Sequence, residues 1–414
     1  MSEPLEELGS NLYRYTCDEE QVRIIISRLR NGRDAPTAEV IVESTAPGLP
    51  SHLLGPDRLN LESPQTKSAF LRRLSERYPQ RDWFPLFEHA ISKTVLLHRR
   101  GAPLRRTNEE FVNDPLFYRL SPLLLEKLPT VLWGPGGGGK STLAVLFSLL
   151  ISEALPPAQT SLNLDPEPGA VLYLDYETDF NEIHERALAL AVGFGLENKP
   201  DIHYQEMSEP LADKVEDVAA LILDNHIHYI VVDSLGLAVG GNPEESGLIT
   251  DYFRALRVLG VGSLTIHHPN REGKYYGNVY IHNSASAVYE LTSSQELDGL
   301  HIGLFSRKRN RGKLLANMGF HLQYQENERG ALQTIKVNRE DVRTVAAVAA
   351  GLSLRQRIAD FLRTGKAASP DIITALKIGD PEIKENSVWK TLDRGVGTSF
   401  VQFESGEWGN LYPS

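Results

Sequence analysis

Residues 134–141 read Gly134-Pro135-Gly136-Gly137-Gly138-Gly139-Lys140-Ser141, and this stretch decides the fold. It matches the pattern G-x-x-x-x-G-K-[ST], in which glycines let consecutive backbone N–H groups face phosphate oxygens. An apolar strand-like run precedes it, from Thr130 to Trp133, and an apolar helical run follows from Lys140 to Ala154. A strand, a glycine-rich loop and a helix in this order predict a phosphate-binding loop at a helix N-terminus.

The pattern also predicts a role for individual side chains of the loop. Lys140 is expected to hold the β and γ phosphates of ATP, and Ser141 to bind Mg²⁺ through its hydroxyl, with Thr142 behind it. A glycine-rich turn that matched by chance would lack the flanking strand and helix. The residues predicted to bind the nucleotide are Gly134, Pro135, Gly136, Gly137, Gly138, Gly139, Lys140, Ser141 and Thr142.

Two later strand-like runs end in carboxylates. The run from Tyr229 to Val232 leads into Asp233, which we predict to be the second Mg²⁺ ligand, because ligands of open α/β sheets collect at the carboxyl ends of the strands. No glutamate follows Asp233, so a catalytic base must come from elsewhere. The run from Ala170 to Asp175 leads to Glu177, which is our candidate for the base. The alternative for Glu177 is a structural role near the N-cap of the next helix.

A histidine pair and a basic turn complete the candidate residues. His267-His268 ends the strand-like run that starts at Gly262, and either histidine is a candidate sensor of the γ-phosphate. The turn from Ser306 to Lys313 carries five cations. We consider three roles for this turn: a solvated surface, an arginine finger that reaches the nucleotide of a neighbouring subunit, or a contact with nucleic-acid phosphates. The candidate finger residues are Arg307, Arg309 and Arg311.

The order of predicted elements indicates three domains. Residues 1–110 are read as an N-terminal α+β domain, with a helix from Gln21 to Arg30, a strand from Ala38 to Glu43 and two later helices. Residues 111–345 alternate strands and helices and end in several strands, which predicts an α/β core with a mainly parallel sheet and an antiparallel edge. Residues 346–414 are read as a linker, three helices and a hairpin, a pattern typical of a winged helix.

Taken in order, the loop at Gly134, Glu177, Asp233, the histidine pair and the late basic turn resemble the RecA-like P-loop ATPases, over roughly residues 116–337. Within that class the chain most resembles hexameric replicative helicases related to plasmid RepA, with DnaB and KaiC as more distant relatives. The resemblance implies a ring, a hexamer as in the helicases it resembles, with ATP between subunits and single-stranded DNA in the central channel. It also implies DNA-facing loops at residues 269–287, where Lys274 and Tyr275 would serve by charge and stacking.

Bulk properties exclude some classes and leave others open. The net charge of −11 argues against indiscriminate coating of nucleic acid, and the C-terminal 64 residues carry eight basic and eight acidic side chains. That unit is therefore equally consistent with DNA binding and with protein docking or ring stabilisation. The single cysteine, Cys17, excludes a disulfide framework. With no spanning segment and no signal peptide, we expect a cytoplasmic protein that does not enter membranes.

Two functions follow from these residues. The first is an ATP-driven DNA helicase that translocates on single-stranded DNA, for which a replication or mobile-element protein is a candidate partner. The alternative is a regulatory or DNA-associated ATPase that uses nucleotide to switch assembly without unwinding DNA. Both use the same catalytic residues, and only the basic segments favour the helicase.

Overall fold

The computed structural model describes residues 5–9, 11–31, 35–48, 50–100, 106, 108, 117–268, 279–342, 352–380 and 382–411. The chain divides into two compact units. The first comprises Met1–Phe117, Glu209–His228 and Asp251–Val261, and the second comprises Tyr118–Ser208, Tyr229–Thr250 and Gly262–Ser414.

The strands are numbered along the chain. They are β1 (Leu5–Gly9), β2 (Leu12–Cys17), β3 (Val22–Asn31), β4 (Pro36–Ser44), β5 (His52–Asn60), β6 (Tyr118–Ser121), β7 (Leu124–Leu125), β8 (Pro129–Trp133), β9 (Asp165–Pro166), β10 (Ala170–Asp175), β11 (His203–Glu206), β12 (Ile227–Asp233), β13 (Gly262–His267), β14 (Ala287–Glu296), β15 (Gly299–Arg309), β16 (Met318–Glu326), β17 (Leu332–Glu340), β18 (Phe400–Gln402) and β19 (Trp408–Asn410).

The helices are numbered in the same way. They are α1 (Pro64–Arg77), α2 (Trp83–Arg100), α3 (Lys140–Ser152), α4 (Pro157–Thr160), α5 (Phe180–Gly193), α6 (Val215–Asp224), α7 (Leu235–Ala238), α8 (Ser246–Leu259), α9 (Val279–Ser284), α10 (Leu354–Phe361), α11 (Ser369–Gly379) and α12 (Glu385–Gly395).

The large sheet of the second unit confirms the predicted α/β architecture. Its strands lie in the order β11-β10-β12-β13-β8-β14-β15-β16-β17. The pairs β10–β11, β12–β13, β13–β8 and β8–β14 are parallel, whereas β14–β15, β15–β16 and β16–β17 are antiparallel. Strand β8, which leads into the phosphate-binding loop, therefore lies inside the sheet, with β13 and β14 as its neighbours.

Helix α3 lies at the centre of the core of this unit. Every residue from Leu143 to Ile151 is buried, as expected for a helix that is apolar on all sides. Phe147 packs edge-on against Phe320 of β16, with ring centroids 6.5 Å apart. This packing fixes the start of the helix, and with it the end of the phosphate-binding loop.

The N-terminal region contains one wrong prediction. The segment from Gln21 to Arg30 was expected to be a helix, but Val22–Asn31 form β3 in a five-stranded antiparallel sheet. Val22, Ile24 and Ile26 are buried in alternation, which is the strand period, and consecutive isoleucines favour strands. A β-bulge between Ser27 and Arg30 shifts the register and buries Leu29. This shift produced the i, i+3 spacing that resembled a helix.

The rest of the N-terminal sheet is covered by two helices, as an α+β arrangement requires. Phe70 of α1 and Phe87 of α2 pack together, with ring centroids 5.3 Å apart, over the buried face of the sheet. Helices α1 and α2 are the two later helices that the sequence predicts for this region.

The C-terminal residues form the three helices and the hairpin that the sequence predicts. Helix α10 begins with a capping box, in which the side chains of Ser353 and Gln356 each bind the other residue's backbone N–H. The indole nitrogen of the buried Trp408 in β19 donates to the Ser369 hydroxyl of α11 at 2.8 Å. The predicted linker at residues 346–351 lies outside the described residues. Within the described ranges, no helix is both long enough and apolar enough to cross a bilayer.

Candidate functional site

The phosphate-binding loop follows β8 and turns directly into α3. Gly137 and Gly139 have φ angles of +70° and +90°, a conformation that other residues rarely adopt. A Cβ on Gly139 would also lie 2.8 Å from the Ile302 side chain, so the loop needs glycine here for space as well as for φ. Helix α3 begins at Lys140 and presents its free N–H groups and positive dipole end to the loop.

The Lys140 side chain is buried under this loop. Its ammonium group donates hydrogen bonds to the carbonyl oxygens of Gly134 at 2.9 Å and Pro135 at 2.7 Å. Burial lowers the pKa of Lys140 to about 8, while the carboxylates of Asp233 and Glu177 act in the opposite direction. The two carbonyl contacts hold the cation inside the loop, where phosphate oxygens are expected.

Asp233 ends β12 and is 1% exposed. Its Oδ2 atom accepts a hydrogen bond from the Tyr173 hydroxyl at 2.7 Å, while its Oδ1 atom is buried without a partner among the described residues. Burial raises the pKa of Asp233, and the Tyr173 and Ser141 side chains lower it. A buried carboxylate oxygen without a partner, beside the Ser141 hydroxyl, fits the oxygen ligands that Mg²⁺ requires.

Glu177 lies just beyond β10 and is held at both oxygens. The Ser234 hydroxyl donates to Oε1 at 2.5 Å, and the His268 ring nitrogen Nε2 lies 3.1 Å from Oε1 and 3.3 Å from Oε2. The hydrogen bond with His268 is the largest cause that lowers the pKa of Glu177, and Ser234 and Lys140 lower it further. Glu177 is therefore ionised near neutral pH, as a general base must be.

Asp175 is a site residue that the sequence reasoning missed. It is fully buried and accepts hydrogen bonds from the backbone N–H groups of Glu177 and Thr178, both at 3.0 Å. It also accepts from the hydroxyls of Thr178 at 2.6 Å and Tyr204 at 3.1 Å. These bonds fix the turn that carries Glu177. The sequence feature that could have identified Asp175 is its spacing: it ends a strand and precedes a threonine by three residues. This spacing is typical of a turn held by a local side-chain hydrogen bond.

The two histidines that end β13 have different surroundings. His267 is 1% exposed, and its carbonyl oxygen accepts from the Gly134 N–H at 3.3 Å, which joins β13 to the start of the phosphate-binding loop. His268 is the residue in contact with Glu177. The sequence left open which histidine serves the site, and the contact with Glu177 favours His268.

The basic turn lies at the other end of the sheet from the phosphate-binding loop of the same chain. Arg309 of β15 is paired with Ala287 of β14, which is paired with Thr130 of β8. The loop begins four residues after Thr130, roughly 13 Å along the strand, which is more than an arginine side chain spans. Arg309 therefore does not reach the nucleotide site of its own subunit, whereas Arg307 pairs with Glu290, which lies opposite Trp133 directly before the loop.

Individual cations of the turn have distinct contacts. Arg307 pairs with Glu290 at 2.5 Å and lies over the Phe305 ring, whereas Arg309 lies over the Tyr118 ring and donates to the carbonyl oxygen of Lys313 at 3.1 Å. Arg311 is exposed on the turn itself. Lys308 instead caps α9, with hydrogen bonds to three backbone carbonyl oxygens. The predicted DNA-facing residues Lys274 and Tyr275 lie outside the described residues.

Known proteins resemble the central part of the chain. Residues 106–274 match the family model of the AAA domain. This match, which covers less than half of the chain, together with the sheet and the site described above, supports a RecA-like P-loop ATPase. No curated protein matches the chain.

Two solved structures show distant similarity to the chain. One is a KaiC-like protein from the hyperthermophilic archaeon Pyrococcus horikoshii, with 14% identity, a TM-score of 0.37 and coverage of 52% of this chain and 91% of that protein. Another is the flagellar accessory protein FlaH from Methanocaldococcus jannaschii, with 14% identity, a TM-score of 0.37 and coverage of 52% and 90%. Similarity at this level assigns no function.

Replacement of Glu177 by glutamine should separate nucleotide binding from turnover. The amide keeps the shape of the side chain but is not a base, so we expect ATP hydrolysis to fall by about 10²–10⁴-fold while ATP affinity changes little. Phosphate release and nucleotide binding measured on the same preparation check this result. Glu197→Gln, at an exposed position of the same unit, is the matched control. Turnover that survives in Glu177→Gln would show that another group is the base.

Replacement of His268 by alanine should change the pH dependence of turnover. Because the His268 contact lowers the pKa of Glu177, its removal raises that pKa toward the ordinary value. The base must be deprotonated, so activity should be lost at a higher pH on the acidic side of the profile. His268→Gln, which keeps a hydrogen-bond donor, should shift the profile less. An acidic limb that stays in place in His268→Ala would mean that the contact does not tune Glu177.

Proposed function

We propose that this protein is a ring-forming, ATP-hydrolysing motor that translocates on single-stranded DNA and separates DNA strands. The observation that carries the ATPase part is the meeting of Lys140, Asp233 and Glu177 at one edge of the sheet, beside the phosphate-binding loop. The helicase part rests on the resemblance of the motif order to hexameric replicative helicases and on the basic turn.

The roles of the side chains follow from their surroundings. The loop N–H groups and Lys140 bind the phosphates of ATP, the substrate, and binding replaces the carbonyl contacts of Lys140 with contacts to phosphate oxygens. Glu177 accepts the proton of the water that attacks the γ-phosphate, and Ser234 and His268 keep its carboxylate in position. Each carboxylate oxygen has two lone pairs, so these contacts leave room for that water.

Ser141 and Asp233 would hold a Mg²⁺ ion. When bound, the ion supplies positive charge that stabilises the negative charge on the phosphate oxygens. The buried, unpartnered Oδ1 atom of Asp233 is the feature of this chain that suits the ion. Tyr173 keeps the carboxylate oriented through the other oxygen.

The position of the basic turn supports a site completed between subunits. Arg309 lies beyond reach of the phosphate-binding loop of its own chain, so a γ-phosphate that it contacts must belong to a neighbouring subunit. Positive charge from a neighbour stabilises the transition state of phosphoryl transfer. Head-to-tail contacts of this kind form a ring when the rotation between subunits closes and an open filament when it does not. We propose a closed ring, a hexamer by resemblance.

We further propose that the C-terminal three helices and hairpin form a winged helix. This unit has equal numbers of acidic and basic residues, so it has no net positive charge to attract nucleic-acid phosphates. A role in protein docking or in ring stabilisation is consistent with this charge balance. Binding to duplex DNA would instead depend on base contacts from α12, on which Trp389 is exposed.

The motor hypothesis is tested by ATP turnover with and without single-stranded DNA, beside strand displacement on a forked duplex. We expect stimulation by single-stranded DNA and ATP-dependent displacement, with Glu177→Gln as the inactive control. Steady turnover without stimulation or displacement would overturn the helicase hypothesis and favour an ATPase that switches assembly, with the phosphate-binding site intact.

The subunit interface is tested with mixed rings. Arg309→Ala removes the candidate finger and Lys140→Ala removes phosphate binding, so each variant alone should lose most activity. A mixture contains interfaces in which an intact Lys140 faces an intact Arg309, and these should restore part of the turnover. Arg307→Ala and Arg311→Ala, each mixed in the same way, identify which arginine acts. Absence of complementation for all three arginines would exclude a finger from this turn.

A further inference from the structure

Three potential metal ligands meet at the tip of the β14–β15 hairpin. Asp298 lies in the two-residue connection, and His301 of β15 is directly opposite His321 of β16 in the antiparallel ladder. The Nε2 atom of His301 lies 3.1 Å from Asp298 Oδ1, and that of His321 lies 3.6 Å from Asp298 Oδ2. One ligand atom from each of the three residues lies within 4.8 Å of the others.

A second carboxylate orients one of these histidines from behind. Glu340 Oε2 lies 2.8 Å from the Nδ1 atom of His301, so His301 donates its Nδ1 proton to Glu340 and turns Nε2 toward Asp298. The other carboxylate oxygen of Glu340 is buried without a partner among the described residues. A carboxylate behind the distal nitrogen of a histidine is the usual outer shell of metal-binding histidines.

Glycine at position 299 keeps the third ligand accessible. Gly299 has a φ angle of +145°, and a Cβ there would lie 2.9 Å from His321 Nε2 and 2.3 Å from the Leu322 carbonyl oxygen. Any other residue would therefore crowd the nitrogen that faces Asp298. The position combines a backbone conformation and a space that only glycine satisfies.

We propose that Asp298, His301 and His321 bind a divalent transition-metal ion of the zinc class, with Glu340 as the residue that orients His301. Two imidazoles and one carboxylate suit Zn²⁺, Co²⁺, Ni²⁺ or Cu²⁺, whereas Mg²⁺ and Ca²⁺ require oxygen ligands. The carboxylates of Asp298 and Glu340 balance the charge of the ion. Three protein ligands leave at least one coordination position for water.

Metal binding requires a small rearrangement of the two rings. The imidazoles now stack in parallel, with centroids 4.2 Å apart and an angle of 5° between their planes. His321 Nε2 also lies 3.2 Å from the Asp298 carbonyl oxygen. Rotation of one ring about χ2, a soft torsion, directs both nitrogens to one ion, which takes the place of the protons in these contacts.

A metal ion at this site would fix the position of β15, the strand that supports the phosphate-binding loop. Leu300 and Ile302, the neighbours of His301, point to the other face of the sheet, where a Cβ on Gly139 would lie 2.9 Å and 2.8 Å from them. An ion that joins the hairpin tip to β16 fixes the start of β15, and with it this support. Because the ion binds the folded chain, it should also stabilise the protein.

The experiment uses the full chain, freed of any affinity tag and of metal, with Co²⁺ as a spectroscopic probe and Zn²⁺ measured by competition with a chromogenic chelator. We expect one equivalent of Co²⁺ with visible ligand-field absorption and displacement by Zn²⁺. Asp298→Asn and His321→Ala should each weaken binding more than tenfold, and Glu340→Gln by about 10–100-fold. His228→Ala, at an exposed histidine, is the matched control and should bind as the wild type does.

Two further arms separate this site from the nucleotide site and from misfolding. Asp233→Asn should leave Zn²⁺ affinity unchanged, and millimolar Mg²⁺ should not compete. Asp298 is exposed, so Asp298→Asn should fold normally, and its thermal midpoint without metal should equal that of the wild type while Zn²⁺ no longer raises it. Equal binding by Asp298→Asn and His228→Ala, or no stoichiometric binding by the wild type, would overturn the proposal.

Discussion

The candidate site depends on burying charges of both signs at one edge of a parallel sheet. Lys140 is 4% exposed and Asp233 is 1% exposed, and an isolated charge at either position would cost several kcal/mol. The cost is offset because Lys140 donates to two loop carbonyl oxygens and Asp233 accepts from Tyr173. Each group is held by a different strand or loop, so displacement of any one would leave a charge unpaired. The site is therefore preorganised before any ligand binds.

The features of the site that could be predicted from the sequence are those that depend on consecutive residues. The glycines of the loop from Gly134 to Ser141 permit the backbone conformation that the loop requires, and Asp233 stands at the end of a buried strand. The carboxyl ends of parallel strands meet at one edge, so these residues had to lie close together once the strand order was mainly parallel. Continuous apolar runs also gave the bounds of individual core strands, such as Ala170–Asp175 and Gly262–His267.

Contacts between distant segments could not be predicted in this way. No pattern in the sequence marks Ser234, yet its hydroxyl binds Glu177, 57 residues earlier. His301 and His321 face each other only because the β15–β16 register pairs them, and a shift of one residue would turn one ring to the opposite face. The β3 error has a related cause, since the bulge that buries Leu29 depends on pairing with β4 and leaves no mark in the local sequence.

Strand β15 connects the proposed metal site, the support of the phosphate-binding loop and the basic turn. Its first residues carry His301 and support Gly139 through Ile302, and its last residues carry Arg307 and Arg309. The whole of β15 pairs with β14, with one bulge between Val288 and Tyr289, whereas only Leu300–Leu304 also pair with β16, so displacement of one end is passed to the other along the β14–β15 ladder. Under the proposed ring, a neighbour's nucleotide that pulls on the arginine end would therefore also act on the loop end. The phosphate-binding loop of each subunit would then be coupled to the occupancy of the next site through one strand, without any large domain movement.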